Sequence, residues 1–271
     1  MQPTIFQRWR LPLQESLERL GCLVTNRVSW PQSNFLVSTS HKFIYCPIAK
    51  VACTSFKLWM LAIADETPPR PFNEQVEAQR YALRKFGLRA AKQILNDPDY
   101  FSFAFVRNPW SRVVSAYLNK FQSVNVTSEP VIATLRRDRK RDELTADVPF
   151  REFVEFLSRG NPRKFDEHWR PQYLSLKDMR LDFLGRFEHL ARDFAWVRER
   201  LELETPLPHH NPTDYAEQSD SQECVADLTA AKLKRRGPFP DYRRFYTPRL
   251  RDLVGQIYAE DIRRFGYEFD S

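Results

Sequence analysis

The chain has 271 residues, 42% apolar and 14% aromatic, which is ample for a buried core and too apolar for a disordered chain, so one large domain or two small ones are expected. Lysine and arginine number 42 against 35 acids, and the net charge of +7 suits an anionic partner without identifying it. The seven glycines (Gly21, Gly87, Gly160, Gly185, Gly237, Gly255, Gly266) form no GxGxxG, GxxxxGK(S/T) or GxSxG, which disfavours a glycine-fingerprint Rossmann enzyme, a standard P-loop NTPase and a serine hydrolase with the usual elbow.

Residues 1–33 are mixed, with a short amphipathic helix predicted at about 12–20. NFLVSTSHKFIYCPI, 34–48, holds two β-type runs; Phe43–Ile48 is the stronger and reads as a strand buried on both faces. Helical patterns follow at about 54–65 and 76–95. FSFAFV, 101–106, is the next strand, and it passes through RNPW into the helical SRVVSAYLNKF, with Asn108-Pro109 marking the turn. Residues 123–148 read as a loop-rich insertion with the charged stretch RRDRKRDE, a solvated face by default. A helix is expected at 149–159, a strand at 181–187, a helix at 189–203 and a loop at 204–222. One last helical pattern covers about 248–265. Strands alternating with helices give an α/β class with a mainly parallel sheet.

The four cysteines, Cys22, Cys46, Cys53 and Cys224, form neither a CxxC nor a disulfide scaffold, and Cys46 and Cys53 read as buried thiols. The histidines form no HExxH, and no Cys/His cluster has zinc spacing, so no metal is expected. No apolar run approaches the ~18–20 residues of a membrane helix, and the charged first residues do not read as a signal peptide. The expectation is a soluble, cytoplasmic chain in a reducing compartment.

Two strand-to-helix turns carry the functional signal. In FIYCPIAKVACTSFK a strand ends near Ile48, Lys50 lies in a short loop, and Thr54 and Ser55 open a helix. Backbone N–H groups at a helix start attract anions, and Lys50 adds a movable positive charge. Small residues such as Ala52 and Cys53 would let the backbone approach a phosphate. The alternative is an ordinary junction whose Thr54 and Ser55 are only helix caps. In FAFVRNPWSRVVSAYLNKF, Arg107 ends a buried strand, where ligands of open α/β sheets gather, and Ser115 stands in the following helix. A guanidinium and a hydroxyl could share one phosphate there; alternatively Arg107 is a structural ion-pair residue. A nucleotide phosphorylated at two separated positions would suit both turns.

KVACTSFK and FVRNPWSRVVSAYLNKF resemble the 5′-phosphosulfate and 3′-phosphate loops of sulfotransferases, nearest to the family 2 carbohydrate enzymes related to the chondroitin 4-O and HNK-1 sulfotransferases. HWRPQ (168–172), DFLGRFEHL (182–190) and IYAEDIRRFGYEF (257–269) continue the resemblance in order, over about 42–269. It implies one sulfotransferase domain, residues 1–271, with a three-layer α/β, P-loop-kinase-like fold. It also implies the sulfuryl donor 3′-phosphoadenosine 5′-phosphosulfate, a carbohydrate acceptor, no metal and no nucleic acid. Carried over by motif, Lys50, Val51, Ala52, Cys53, Thr54 and Ser55 hold the 5′-phosphosulfate, and Arg107 and Ser115 hold the 3′-phosphate. Ala49 stands where the family often has proline, with Pro47 two residues earlier. LSLKDM replaces the cysteine pair that often follows HWxP in the animal enzymes, which excludes a disulfide there. The animal enzymes sit in the Golgi membrane, so a soluble relative is the simpler reading.

Sulfuryl transfer needs in-line positioning, charge stabilisation at the leaving oxygen and removal of the acceptor's proton. Lys50 suits the leaving-group role, and His168 is the first choice for the base, with Asp166, Glu167 and Glu188 as further candidates. Glu188 has the alternative of orienting His168 or pairing with a basic neighbour. His41, His189, His209 and His210 have weaker cases. Segment 232–251, rich in Lys and Arg with Tyr242, Phe245 and Tyr246 interleaved, reads as a flexible cover over the donor, a nucleic-acid surface or a solvated helix end. Two alternatives to carbohydrate sulfation stay open: a non-catalytic nucleotide- or nucleic-acid-binding module, and sulfation of a tyrosine or small phenol.

Overall fold

A computed structural model describes residues 34–64, 78–139, 147–177, 179–208 and 223–271. The helix expected at 12–20, the pair His209–His210 and most of the 204–222 loop lie outside them. In chain order the elements are β1 (Leu36–Ser38), β2 (Phe43–Cys46), α1 (Cys53–Ile63), α2 (Leu88–Asn96), β3 (Phe101–Val106), α3 (Pro109–Lys120), α4 (Glu129–Arg139) and α5 (Phe150–Ser158). There follow β4 (Phe183–Arg186), α6 (Leu190–Leu201), α7 (Ala230–Arg235), α8 (Pro248–Ile257) and α9 (Ala259–Phe265). They fall into two compact units, one within Met1–Val106 and Leu174–His210, the other within Arg107–Tyr173 and Asn211–Ser271.

The first unit holds the sheet, ordered β1-β2-β3-β4. β1 and β2 form an antiparallel hairpin, while β2–β3 and β3–β4 are parallel, with Tyr45 opposite Phe103 and Phe105 opposite Gly185. This is the expected α/β class with a mainly parallel sheet. β2 and β3 are buried at every position, as their largely apolar runs require, and the one polar member, Ser102, is satisfied by the Asp182 carboxylate at 2.8 Å. Helices α1 and α6 cover the sheet through rings: Phe56 meets Tyr45 at 4.5 Å between centroids and Phe105 at 4.9 Å, and Phe194 meets Trp59 edge-on at 5.0 Å. Gly185 is required because the Phe105 ring occupies the space of a β-carbon, its Cδ1 lying 2.6 Å from that position.

The second unit is helical. Tyr117, Phe121, Phe150, Phe153, Trp169 and Phe245 form its core, and the Tyr117 hydroxyl donates to the Val148 carbonyl at 2.8 Å. α3 begins as the Asn108-Pro109 signal predicts. Asn108 accepts the N–H groups of Trp110 and Ser111, and Pro109 occupies the first helical position, where no N–H is needed.

Three expectations are corrected. The helix predicted at 76–95 is, among the described residues, two 3₁₀ turns, Gln79–Tyr81 and Leu83–Lys85, followed by α2. Ala82 is extended and bridges to Leu36, and the Leu83 N–H donates to the Phe35 carbonyl at 2.7 Å, so β1 competes successfully for this backbone. The loop-rich insertion contains α4, which buries Val131, Ile132 and Leu135. The last helical pattern is two helices that part at Tyr258, whose buried hydroxyl donates to the Trp169 carbonyl. Segment 232–251 runs from the end of α7 through a 3₁₀ turn, Tyr242–Phe245, into α8, seated by the buried Leu233, Phe239, Phe245 and Leu250, with Arg243 paired to Asp241 and Asp270. Among the described residues no helix is long and apolar enough to cross a membrane.

Candidate functional site

In the first unit, β2 ends at Cys46 and the chain reaches α1 through six residues. Ile48 and Val51 are buried and tie the loop down, and the Val51 N–H donates to the Ile48 carbonyl at 3.2 Å. The Cys53 thiol donates to the same carbonyl at 2.6 Å, so Cys53 is half-buried and bonded, whereas Cys46 is fully buried. Among the described residues four non-glycine residues have positive φ, and two are here: Lys50 at 69° and Ala52 at 52°. Left-handed conformations cost an L-residue about 1–2 kcal/mol and persist where the surroundings impose them, often at ligand sites. Successive residues of alternating hand can turn their N–H groups toward one side, as anion-binding nests do.

Ala52 is the N-cap of α1, and no side chain caps this helix. Thr54 and Ser55 lie inside the first turn, which removes their reading as caps. Their N–H groups belong to the set that an α-helix leaves without an intrahelical acceptor, and the helix dipole adds partial positive charge. Lys50, two residues before the N-cap, is half-buried. The fit to an anion is therefore one of backbone and charge, built without glycine.

In the second unit, Arg107 is the first residue after β3 and is 7% exposed. Its Nε donates to the Ser111 hydroxyl at 2.8 Å. Ser111 and Ser115 are four residues apart on α3 and share a face, both buried, and Ser111, the residue that bonds Arg107, is one the sequence reading passed over. Gln172 and Asp261 were missed as well. The Gln172 side chain bonds both backbone polar groups of Arg107, and Asp261 bonds Gln172. Asn108 was seen as a turn residue, but its amide also donates to the carbonyls of Glu268 and Phe269.

His168 lies in a turn of the same unit. Its Nδ1 is 2.6 Å from Asp166 Oδ1, and the same oxygen accepts the His168 N–H at 3.0 Å. Burial pushes the Asp166 carboxyl up, but the two His168 hydrogen bonds, with the charges of His168 and Lys120, together hold it below the ordinary carboxylate value. An ionised Asp166 can only accept, so His168 donates to it from Nδ1. Asp166 thus orients the imidazole. The turn is held from below by Arg112, 1% exposed, whose Nη1 donates to the Arg170 carbonyl at 2.8 Å and Nη2 to that of Glu167 at 3.1 Å. Glu188 lies in a 3₁₀ turn, Phe187–His189, of the first unit. The His41 ring lies 3.4 Å from the Ile63 carbonyl. Among the described residues no three or more His, Cys, Asp or Glu side chains are grouped to hold a metal.

The profile of the sulfotransferase family matches residues 33–268. Carbohydrate sulfotransferase 11 of Rattus norvegicus is 32% identical over 183 residues, 60% of this chain and 51% of the relative. Carbohydrate sulfotransferase 14 of Danio rerio is 30% identical over 186 residues, 62% of this chain and 48% of the relative. Carbohydrate sulfotransferase 12 of Mus musculus is 27% identical over 271 aligned positions, 87% of this chain and 60% of the relative. The chain spans about half the length of the first two. Solved structures give no significant match. A profile match over most of the chain, on an α/β fold with a mainly parallel sheet, shows that the chain belongs to the sulfotransferase family.

Proposed function

We propose that the chain is one sulfotransferase domain that moves a sulfuryl group from 3′-phosphoadenosine 5′-phosphosulfate to a carbohydrate hydroxyl. The observation that carries this reading is the uncapped start of α1, where Lys50 and Ala52 take left-handed backbone to build an anion cradle without glycine. Relatives named carbohydrate sulfotransferases support the acceptor class. The bound donor supplies the sulfuryl group.

The residues divide the work by chemistry. Backbone N–H groups of 52–55 and the hydroxyls of Thr54 and Ser55 bind the 5′-phosphosulfate. Lys50 meets the negative charge that grows on the departing phosphate oxygen as the sulfur–oxygen bond breaks. Arg107, with Ser115, binds the 3′-phosphate through a planar fork of donors. His168 Nε2 removes the acceptor's proton as the acceptor oxygen bonds to sulfur, and Asp166 stabilises the imidazolium that forms. Adenosine 3′,5′-bisphosphate and a sulfated sugar leave.

The test is incubation with labelled donor and a panel of glycans, lipopolysaccharides and phenols. Label on a glycan, lost in Lys50→Ala, is the expected outcome. Label on phenols alone would overturn the acceptor class. Donor binding with no acceptor labelled would favour a binding module.

A further inference from the structure

Gln172 holds the main chain of Arg107 and is in turn held by Asp261, all three in the second unit. Gln172 is wholly buried. Its side-chain oxygen accepts the Arg107 N–H at 2.9 Å, and its side-chain nitrogen donates to the Arg107 carbonyl at 2.8 Å. One carboxamide therefore satisfies both backbone groups of one residue, as a neighbouring strand would. The need is local. The β3–β4 ladder ends at the pair Val106–Arg186, so Arg107 is the first residue beyond it, and buried backbone groups without partners are costly.

Gln172 is itself fixed. Asp261, fully buried on α9, accepts the Gln172 N–H on Oδ2 at 2.7 Å and the Tyr173 N–H on Oδ1 at 2.8 Å. Ser111 separately holds the Arg107 guanidinium at Nε, so the residue is fixed at its root and near its tip. A satisfied buried network of this kind rigidifies what it holds. A planar guanidinium needs that rigidity, because its contact with phosphate depends on orientation as well as distance.

We propose that Gln172, backed by Asp261, is a positioning residue that sets the backbone from which Arg107 meets the donor's 3′-phosphate. The proposal rests on the donor reading above. Its consequence is selective: loss of the clamp weakens recognition of the 3′-phosphate and leaves the 5′ end of the nucleotide untouched.

The test is calorimetric titration of adenosine 3′,5′-bisphosphate and of AMP into the whole chain. Charge-assisted hydrogen bonds to Arg107 should make the parent bind the bisphosphate at least about tenfold more tightly than AMP. Gln172→Met keeps the bulk and removes both bonds. It should move that ratio toward one with AMP affinity unchanged, and it should add nothing further in an Arg107→Ala background. A folded Gln172→Met protein that keeps the parent ratio, while Arg107→Ala loses it, overturns the clamp and leaves the donor reading standing. A parent ratio of one removes the 3′-phosphate assignment itself, and the clamp with it. Asp261→Asn serves if Gln172→Met does not fold. It deletes a negative charge, so charge alone would tighten both nucleotides, and a lower ratio can come only from geometry. An unchanged ratio in that variant also overturns the proposal.

Discussion

Arg112→Met isolates the support beneath His168. Methionine preserves the buried aliphatic packing of the arginine stem and removes the guanidinium. Two charge-assisted hydrogen bonds, to the carbonyls of Arg170 and Glu167, are lost. Each such bond is worth roughly 1.5–3 kcal/mol, and the carbonyls left behind are poorly solvated. Asp261 also loses a favourable positive charge. The sum falls in the range of about 3–5 kcal/mol seen when one partner of a buried charged arrangement is removed. With a urea slope of about 2–3 kcal/mol/M, the unfolding midpoint should fall by about 1–2 M. Turnover, measured where the variant is still fully folded, should fall too, because the turn carrying His168 and Asp166 loses its anchor. Arg112→Lys should not rescue, since one ammonium does not span two carbonyls as a guanidinium does. A midpoint unchanged within about 0.3 M of urea, or parent turnover in a destabilised protein, would refute the reasoning.

Other outcomes follow from the same geometry. His168→Ala should lower turnover by about 10²–10⁴ with product affinity unchanged, and Asp166→Asn should lower turnover while retaining the imidazole; equal rates for Asp166→Asn and the parent would show that orientation is set elsewhere. Gly185→Ala should destabilise by about 1–3 kcal/mol through collision with Phe105, and Phe105→Leu should relieve part of the loss in a double variant. Burial pushes Asp261 up to about 6, against the N–H bonds from Gln172 and Tyr173 and the charge of Arg112. The native state therefore holds a proton between about pH 4 and 6 that the unfolded chain has released, so this group makes stability fall as pH rises through that window, by up to about 3 kcal/mol, and level off above it. Asp261→Asn should flatten that slope in unfolding measurements; a slope that persists would assign it to another group.

The strand-to-helix turns were legible because their signals are local. β2 and β3 are largely apolar runs, and Asn108-Pro109 is a local turn signal that here opens a helix. The helix expected at 76–95 failed because Ala82 joins a strand more than forty residues away, which no window of sequence contains. α4 was hidden by charge: three apolar residues suffice to seat it, yet RRDRKR dominates the composition. At the site, residue types that carry chemistry were found and those that hold them were not. Ser111 had a sequence signal, four residues from both Arg107 and Ser115. Gln172 closes the motif HWRPQ, but nothing in its residue type marks it as bonding a main chain. Lys50 and Ala52 run against expectation, since left-handed backbone is ordinarily given to glycine.

That last feature bears on how the loop meets an anion. Glycine-rich phosphate loops have many conformations available when unfolded, and the chain loses that freedom when they fold. A loop of alanine, lysine and valine has fewer states to lose, and the cost appears instead as steric tension held by Ile48, Val51 and Cys53 in the folded protein. The two routes give different thermodynamic signatures. Replacing Ala52 with glycine trades tension for freedom, so overall stability should shift little, while ordering of the loop moves from folding to the moment of binding. Nucleotide association would then carry a larger unfavourable entropy at nearly the same contacts, and the loop's amide protons would exchange faster before the ligand arrives.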